Sequence, residues 1–254
     1  MGDNGKRMRD AASQDALKAA EAAGALTALE RYDAQQPSCR FGKQGLCCRL
    51  CNMGPCRVGT TAKGERIGVC GANADTIAAR NLLRMIAAGA AAHSDHGRDV
   101  AHTFVLMAQG KAKDYRVKDE AKLRQVAEQY GLETEGKSVQ DIALAVGEKA
   151  LAEFGQQEGE LKLMQRAPAK RVELWRKLGL MPRGIDREIV ECMHRTHMGV
   201  DTDYRNILRH GIRTALGDGW GGSLIATELQ DIMLGSPTPI RAKVNLGVLS
   251  KDKV

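Results

Sequence analysis

Apolar residues recur near a helical period along most of the chain. Between Ser13 and Ala34, Leu17, Ala20, Leu26 and Leu29 follow one another at that spacing among Ala, Glu and Lys, predicting a helix that ends before Pro37. The stretch from Asn73 to Ala112 returns to Ala, Leu and Met at helical spacing, and Gly89 or Gly97 is expected to divide it into two helices. Helical pattern also covers 119–132, 138–155 and 167–180, with Gly131, Gly155 and Gly179 as expected stops, and continues through 184–199 and 202–220. After Ser236-Pro-Thr-Pro the pattern alternates: IRAKVNLGVLS, residues 240–250, concentrates Val, Ile and Leu as a strand does. One strand cannot bury itself, so the chain is expected to stop as an α/β domain begins. The expected class is therefore mainly α. It divides into an N-terminal helical segment (1–36), a glycine-punctuated loop (37–75), a helical domain (76–237) and the start of a truncated, Rossmann-like α/β domain (238–254).

Charge and composition narrow the function classes. The formal charge of +7 arises from 38 basic and 31 acidic residues scattered along the chain, which points to an acidic protein partner more than to nucleic acid. No nucleic-acid motif accompanies it, and aromatics at 4% leave few stacking platforms. No window approaches the roughly 18 apolar residues of a membrane span. The first residues hold no signal-peptide core, and Lys6 stands where myristoylation wants Ser or Thr. A cytoplasmic protein is expected.

The cysteines change the picture most. Six of the seven, Cys39, Cys47, Cys48, Cys51, Cys56 and Cys70, lie within CRFGKQGLCCRLCNMGPCRVGTTAKGERIGVCG, residues 39–71. In a reducing compartment such clustering reads as metal ligation or redox chemistry more than as disulfides. Cys48, Cys51, Cys56 and Cys70 form C-x2-C-x4-C-x13-C, a complete four-thiolate set with Gly54-Pro55 turning the chain before the third thiol. This spacing matches iron-sulfur sites better than zinc patterns, although C-x2-C is common to both. Cys39 and Cys47 are left over. Neighbouring side chains diverge, so Cys47 and Cys48 serve two sites more easily than one. A two-fold axis would then complete a second site from Cys39 and Cys47 of each copy, the alternative being two free thiols or a disulfide.

At PSCRFGKQGLCCRLCNMGPCR, with GVCGA downstream, then AAAHSDHGRDVAH, HRTHMGVD, DGWGGS and TELQDIMLGSPTP, the chain resembles the anaerobic nickel-iron carbon monoxide dehydrogenases from about residue 37 onward. The resemblance implies a homodimeric catalytic subunit whose N-terminal helical domain precedes two α/β domains. It implies a [4Fe-4S] cluster on Cys48, Cys51, Cys56 and Cys70 and an iron-sulfur cluster shared between subunits on Cys39 and Cys47. The implied reaction is oxidation of CO with water to CO2, two protons and two electrons. Electrons would leave to a ferredoxin-like acceptor, and an acetyl-CoA synthase subunit is an implied partner. His93, His96 and His102 match the family's histidine series, His93 as acid and base and the others as a proton relay. Asp99 occupies a step where the family often has histidine.

The family's nickel-iron-sulfur cluster takes its ligands, one His and several Cys, from later in the polypeptide. No such set exists here, since Cys192 is the one cysteine left. The chain is expected to be a truncated piece of the enzyme or a short relative without its catalytic domains. Two rivals stand beside this reading: a hydroxylamine reductase of the related hybrid-cluster family, whose pattern lacks the upstream C-x7-C, and a stand-alone dimeric electron carrier or scaffold. His194 and His197, three apart, read as hydrogen-bonding residues and not as ligands. Cys192, among Ile189, Val190 and Met193, reads as a buried thiol. DGWGG, residues 218–222, reads as close backbone packing or a tight turn.

Overall fold

The computed structural model describes residue 8 and residues 10–238. The strand expected over 240–250, and with it nearly all of the segment 238–254, lies outside the described residues. The chain divides after Ile77 into two compact units.

In the first unit, the helix expected over 13–34 is two helices, α1 (Ala11–Ala22) and α2 (Ala28–Ala34). The break has a local cause. Gly24 takes a positive φ of 63°, and Thr27 and Glu30 close a capping box in which each side chain accepts the other's backbone N–H. The Leu17–Leu29 periodicity was real, but a start signal inside it outweighed the period. Neither helix holds a buried residue. A single helical turn, α3 (Arg40–Lys43), leads into two small antiparallel ribbons: β1 (Cys47–Cys48) with β2 (Cys56–Arg57), and β3 (Gly59–Thr61) with β4 (Gly64–Arg66). Val58 N–H donates to Leu46 O at 3.0 Å and prolongs the first ribbon. Cys48, Val58, Ala72 and Ile77 form a small buried cluster beneath it.

α4 (Ala74–Ala108) runs without interruption through both expected breaks and stops two residues before Gly110, where φ is +70°. A helix-interior glycine costs about 1 kcal/mol relative to Ala, too little to break a helix hydrogen-bonded on both sides. Gly97 has another use: a Cβ there would lie 2.4 Å from the carbonyl oxygen of Gly222. The glycine permits backbone-to-backbone approach.

The second unit is mainly helical. α5 (Glu120–Gln129) starts at the Asp119 cap, and α6 (Val139–Gly155) starts at the Ser138 cap. A 3-10 turn (Lys162–Arg166) precedes α7 (Ala169–Lys177), α8 (Ile185–Arg195) and α9 (Tyr204–Gly217). Gly131 and Gly179 take positive φ just past α5 and α7, as stops do, whereas Gly155 is the last residue of α6 itself. The Asp218–Gly222 segment is a π-helical turn that joins α9 directly to α10 (Ser223–Leu234). The main core gathers Phe104 of α4, Leu123 and Val126 of α5, Val146 and Phe154 of α6, Ile185 of α8 and Leu229 and Ile232 of α10. Ala79, Leu83, Ala87, Cys192 and Ile207 form a second, smaller cluster. Among the described residues, no helix is long and apolar enough to cross a membrane.

Candidate metal centre

The β1–β2 ribbon organises the thiols. Consecutive strand residues face opposite sides, so Cys47 and Cys48 diverge. The register pairs Cys48 with Cys56 and Cys47 with Arg57. Directly opposed residues share a face, which puts the Cys48 and Cys56 side chains together over the buried cluster and leaves Cys47 and Arg57 on the other side.

The loop between the strands carries Cys51. It is drawn tight at Gly54, whose N–H donates to Cys51 O at 3.3 Å and whose Cβ, if present, would sit 2.9 Å from Cys48 O. Cys70 lies in a closed turn where Gly71 N–H donates to Gly68 O and Gly68 N–H donates to Ala72 O, with Gly71 at φ +85°. Cys39 caps α3. The N–H groups of Gly42 and Phe41, with Arg57 nearby, hold its thiol below the usual cysteine range.

None of the seven cysteines is in a disulfide, so Cys39 and Cys47 are not joined to each other. Among the described residues, three or more potential ligand atoms lie within 4.8 Å of one another at Glu188, Glu191 and His210, and the cysteine sulfurs form no such group. A zinc tetrahedron with Zn–S of about 2.3 Å would bring four sulfurs to roughly 3.8 Å from each other. The divergent faces of the ribbon suit two thiolate sites more than one closed four-thiolate site.

The acidic group at Glu188 and Glu191 is neutralised by protein cations. Arg183 Nε and Arg213 Nε donate to Glu188 at 3.0 and 2.7 Å, and Arg195 donates to Glu191 at 2.8 Å. Burial raises the Glu188 pKa, but hydrogen bonds from His210 and Arg183 and the charge of Arg213 overcome it and hold the carboxyl far below its ordinary value. This is an ion-pair network with its countercharges in place. Cys192 packs beside it, fully buried, with Sγ 3.0 Å from Thr214 Oγ1, and burial pushes its thiol up to about 11.

α4 carries His93, His96, Asp99 and His102 on one uninterrupted helix, and all four are exposed. His93 Nδ1 lies 2.8 Å from Asp218 Oδ1, which also accepts from Ser223 Oγ at 3.2 Å. Glycine packing makes this contact possible: a Cβ on Gly222 would sit 2.9 Å from His93 O. Sequence reasoning read DGWGG for its glycines and missed Asp218, whose signal was an acidic residue opening a glycine-rich turn. α8 ends at Arg195, so His194 and His197 do not share a helix face, and both are exposed.

The profile of the Prismane/CO dehydrogenase family matches residues 46–254. The chain belongs to the Prismane/CO dehydrogenase family. Similar members include carbon monoxide dehydrogenase 1 of Methanosarcina acetivorans, 59% identical over 96% of this chain and 39% of the relative. Carbon monoxide dehydrogenase 1 of Carboxydothermus hydrogenoformans is 45% identical over 99% of this chain and 40% of its own. The chain thus spans about two fifths of the length of the curated relatives it matches. Among solved structures, the nickel-free carbon monoxide dehydrogenase of Thermococcus sp. AM4 superimposes with a TM-score of 0.84 at 52% identity, covering 89% of this chain and 36% of that one. An acetyl-CoA synthase/carbon monoxide dehydrogenase complex with nickel-containing [Fe4S4] clusters gives 0.84 at 45% identity, over 93% of this chain and 35% of its own.

Proposed function

We propose that this chain is the N-terminal, cluster-bearing part of a nickel-iron carbon monoxide dehydrogenase catalytic subunit, with Rossmann-like α/β domains completing the enzyme. The division of adjacent cysteines between the two faces of the β1–β2 ribbon carries this reading. Cys48, Cys51, Cys56 and Cys70 hold a [4Fe-4S] cluster within the subunit. Cys39 and Cys47, with the same pair from a second copy, hold a cluster across the homodimer axis. When bound, these clusters supply one-electron carriers for the reaction CO + H2O → CO2 + 2 H+ + 2 e−. The chain's scattered excess of positive charge suits an acidic, ferredoxin-like acceptor in the cytoplasm. The likeness to an acetyl-CoA synthase/carbon monoxide dehydrogenase complex supports an acetyl-CoA synthase subunit as a further partner.

The reaction releases two protons, and His93 is the residue suited to take one. Asp218 at 2.8 Å orients its ring through Nδ1, leaving Nε2 to exchange a proton. By the family resemblance His96 and His102 are the further proton carriers on α4, although Asp99 replaces one step and His102 lies half a turn around the helix from His93. The nickel-iron-sulfur cluster finds no ligand set in these residues, and we derive no step through it. The relatives named above are carbon monoxide dehydrogenases, and no observation favours hydroxylamine reduction.

Anaerobic purification followed by iron, sulfide and mass measurements tests the proposal. The expected result is a dimer with about eight iron atoms in its two internal clusters and further iron in the shared one. Cys39→Ala with Cys47→Ala removes that further iron and weakens the dimer. A zinc-containing monomer without sulfide would reject the cluster assignment. In the complete enzyme, Asp218→Asn lowers CO oxidation by misorienting His93. Nickel-dependent turnover by the 254 residues alone would exclude both the need for further domains and the electron-carrier alternative.

A further inference from the structure

We propose that Arg57 is a positioning residue for the site on Cys39 and Cys47, where its fixed positive charge makes that cluster easier to reduce than the same cluster without it. The inference rests on the assignment of Cys39 and Cys47 to a shared cluster.

The placement follows from the ribbon. Arg57 is the cross-strand partner of Cys47, on the face opposite Cys48 and Cys56. The neighbours of Arg57, Cys56 and Val58, turn toward the buried cluster, so Arg57 stands on the outer face with Cys47. Its guanidinium carbon lies 5.5 Å from the centroid of Phe41, a cation–π contact with a residue of α3. Cys39 is the residue that caps α3. Arg57 therefore ties the Cys47 face of the ribbon to the turn that presents Cys39.

The consequences are two. A cation on one thiol face and not the other acts unequally on the two clusters, because Coulomb energy falls with distance and solvent screens it further. Reduction adds an electron, so a nearby positive charge stabilises the reduced state, and hydrogen bonding and local charge are the recognised levers on cluster potential. The stack on Phe41 also demands the planar guanidinium, which Lys does not reproduce.

The test is a potentiometric titration of the anaerobically purified chain, followed by electron paramagnetic resonance and visible absorption. Wild type, Arg57→Met and Arg57→Lys are compared, and Cys39→Ser with Cys47→Ser identifies the shared-cluster signal. Arg57→Met is expected to lower the reduced-to-oxidised ratio of that cluster about threefold at its wild-type midpoint, a negative shift of roughly 30 mV at 59 mV per tenfold for one electron. Arg57→Lys keeps the charge but loses the stack and recovers part of the shift, and the signal of the internal cluster stays in place in both variants. Equal movement of both signals, or movement of neither, would overturn the inference while leaving the two-cluster assignment intact. If the double serine variant loses no signal, the shared-cluster assignment itself fails, and this inference with it.

Discussion

The cysteine loop and the helical unit achieve order by different means. Beneath the loop, four buried residues form the apolar cluster, and α1 and α2 ahead of it bury none. The main core of the helical unit gathers twenty. At about 25 cal/mol per Å2 of apolar surface, a patch the size of the loop's offsets little of the backbone entropy of a segment this long. On the proposed cluster assignment, six thiols in that segment are the compensating feature, because metal–sulfur bonding becomes folding free energy when ligands converge only in the folded chain. The helical unit needs no such help.

The largest expected effect comes from removing the metal. Treating the protein with a chelator and a mild oxidant is expected to expose residues 37–72 to proteolysis while the helical circular dichroism of the remainder persists. Cooperative loss of both would show that the two regions share one folding transition and would break the comparison.

Next comes a buried acid inside the helical unit. Glu153 is almost fully buried, accepts from Lys162 N–H at 2.6 Å, and is pushed by burial from 4.5 up to about 7, against the opposing effect of Lys162. Its folded pKa lies above its unfolded value, so the native state holds the proton more tightly. Stability therefore falls as pH rises from about 4.5 through about 7 and levels beyond, by about 3 kcal/mol in total. Glu153→Gln is expected to flatten that slope, as measured by the melting temperature across this pH range. An unchanged slope would assign it to other groups.

Two glycines in one helix give smaller effects of opposite sign. Gly97→Ala places a methyl against Gly222 O and is expected to destabilise by about 1–3 kcal/mol. Gly89→Ala meets nothing within 4 Å and is expected to stabilise by about 0.5–1 kcal/mol, in line with helix propensity. Paired thermal melts measure both, and a loss at Gly89 would mean that its open face is covered in the assembled protein.

Much of the helical unit was legible because its signals are local. Ser138 and Asp119 cap the helices they precede, and Gly131 and Gly179 adopt the left-handed backbone that ends a helix. The two misreadings came from weighing local signals wrongly. In 13–34 the period masked a capping box, and in 73–112 two glycines suggested breaks that the hydrogen-bond ladder of α4 absorbs. The pairing of Asp218 with His93 was not legible, since the two stand 125 residues apart.

The amino-acid sequence by itself determined how many thiols the loop offers, the four-ligand spacing from Cys48 to Cys70 and the two thiols left over. Those are matters of order and number along a chain. The tertiary structure decided which faces Cys47, Cys48 and Cys56 take, that Arg57 stands with Cys47, that Gly97 joins two backbones instead of breaking a helix, and that Asp218 meets His93. These depend on strand register and helix packing between segments far apart in the chain, where no single residue carries the signal.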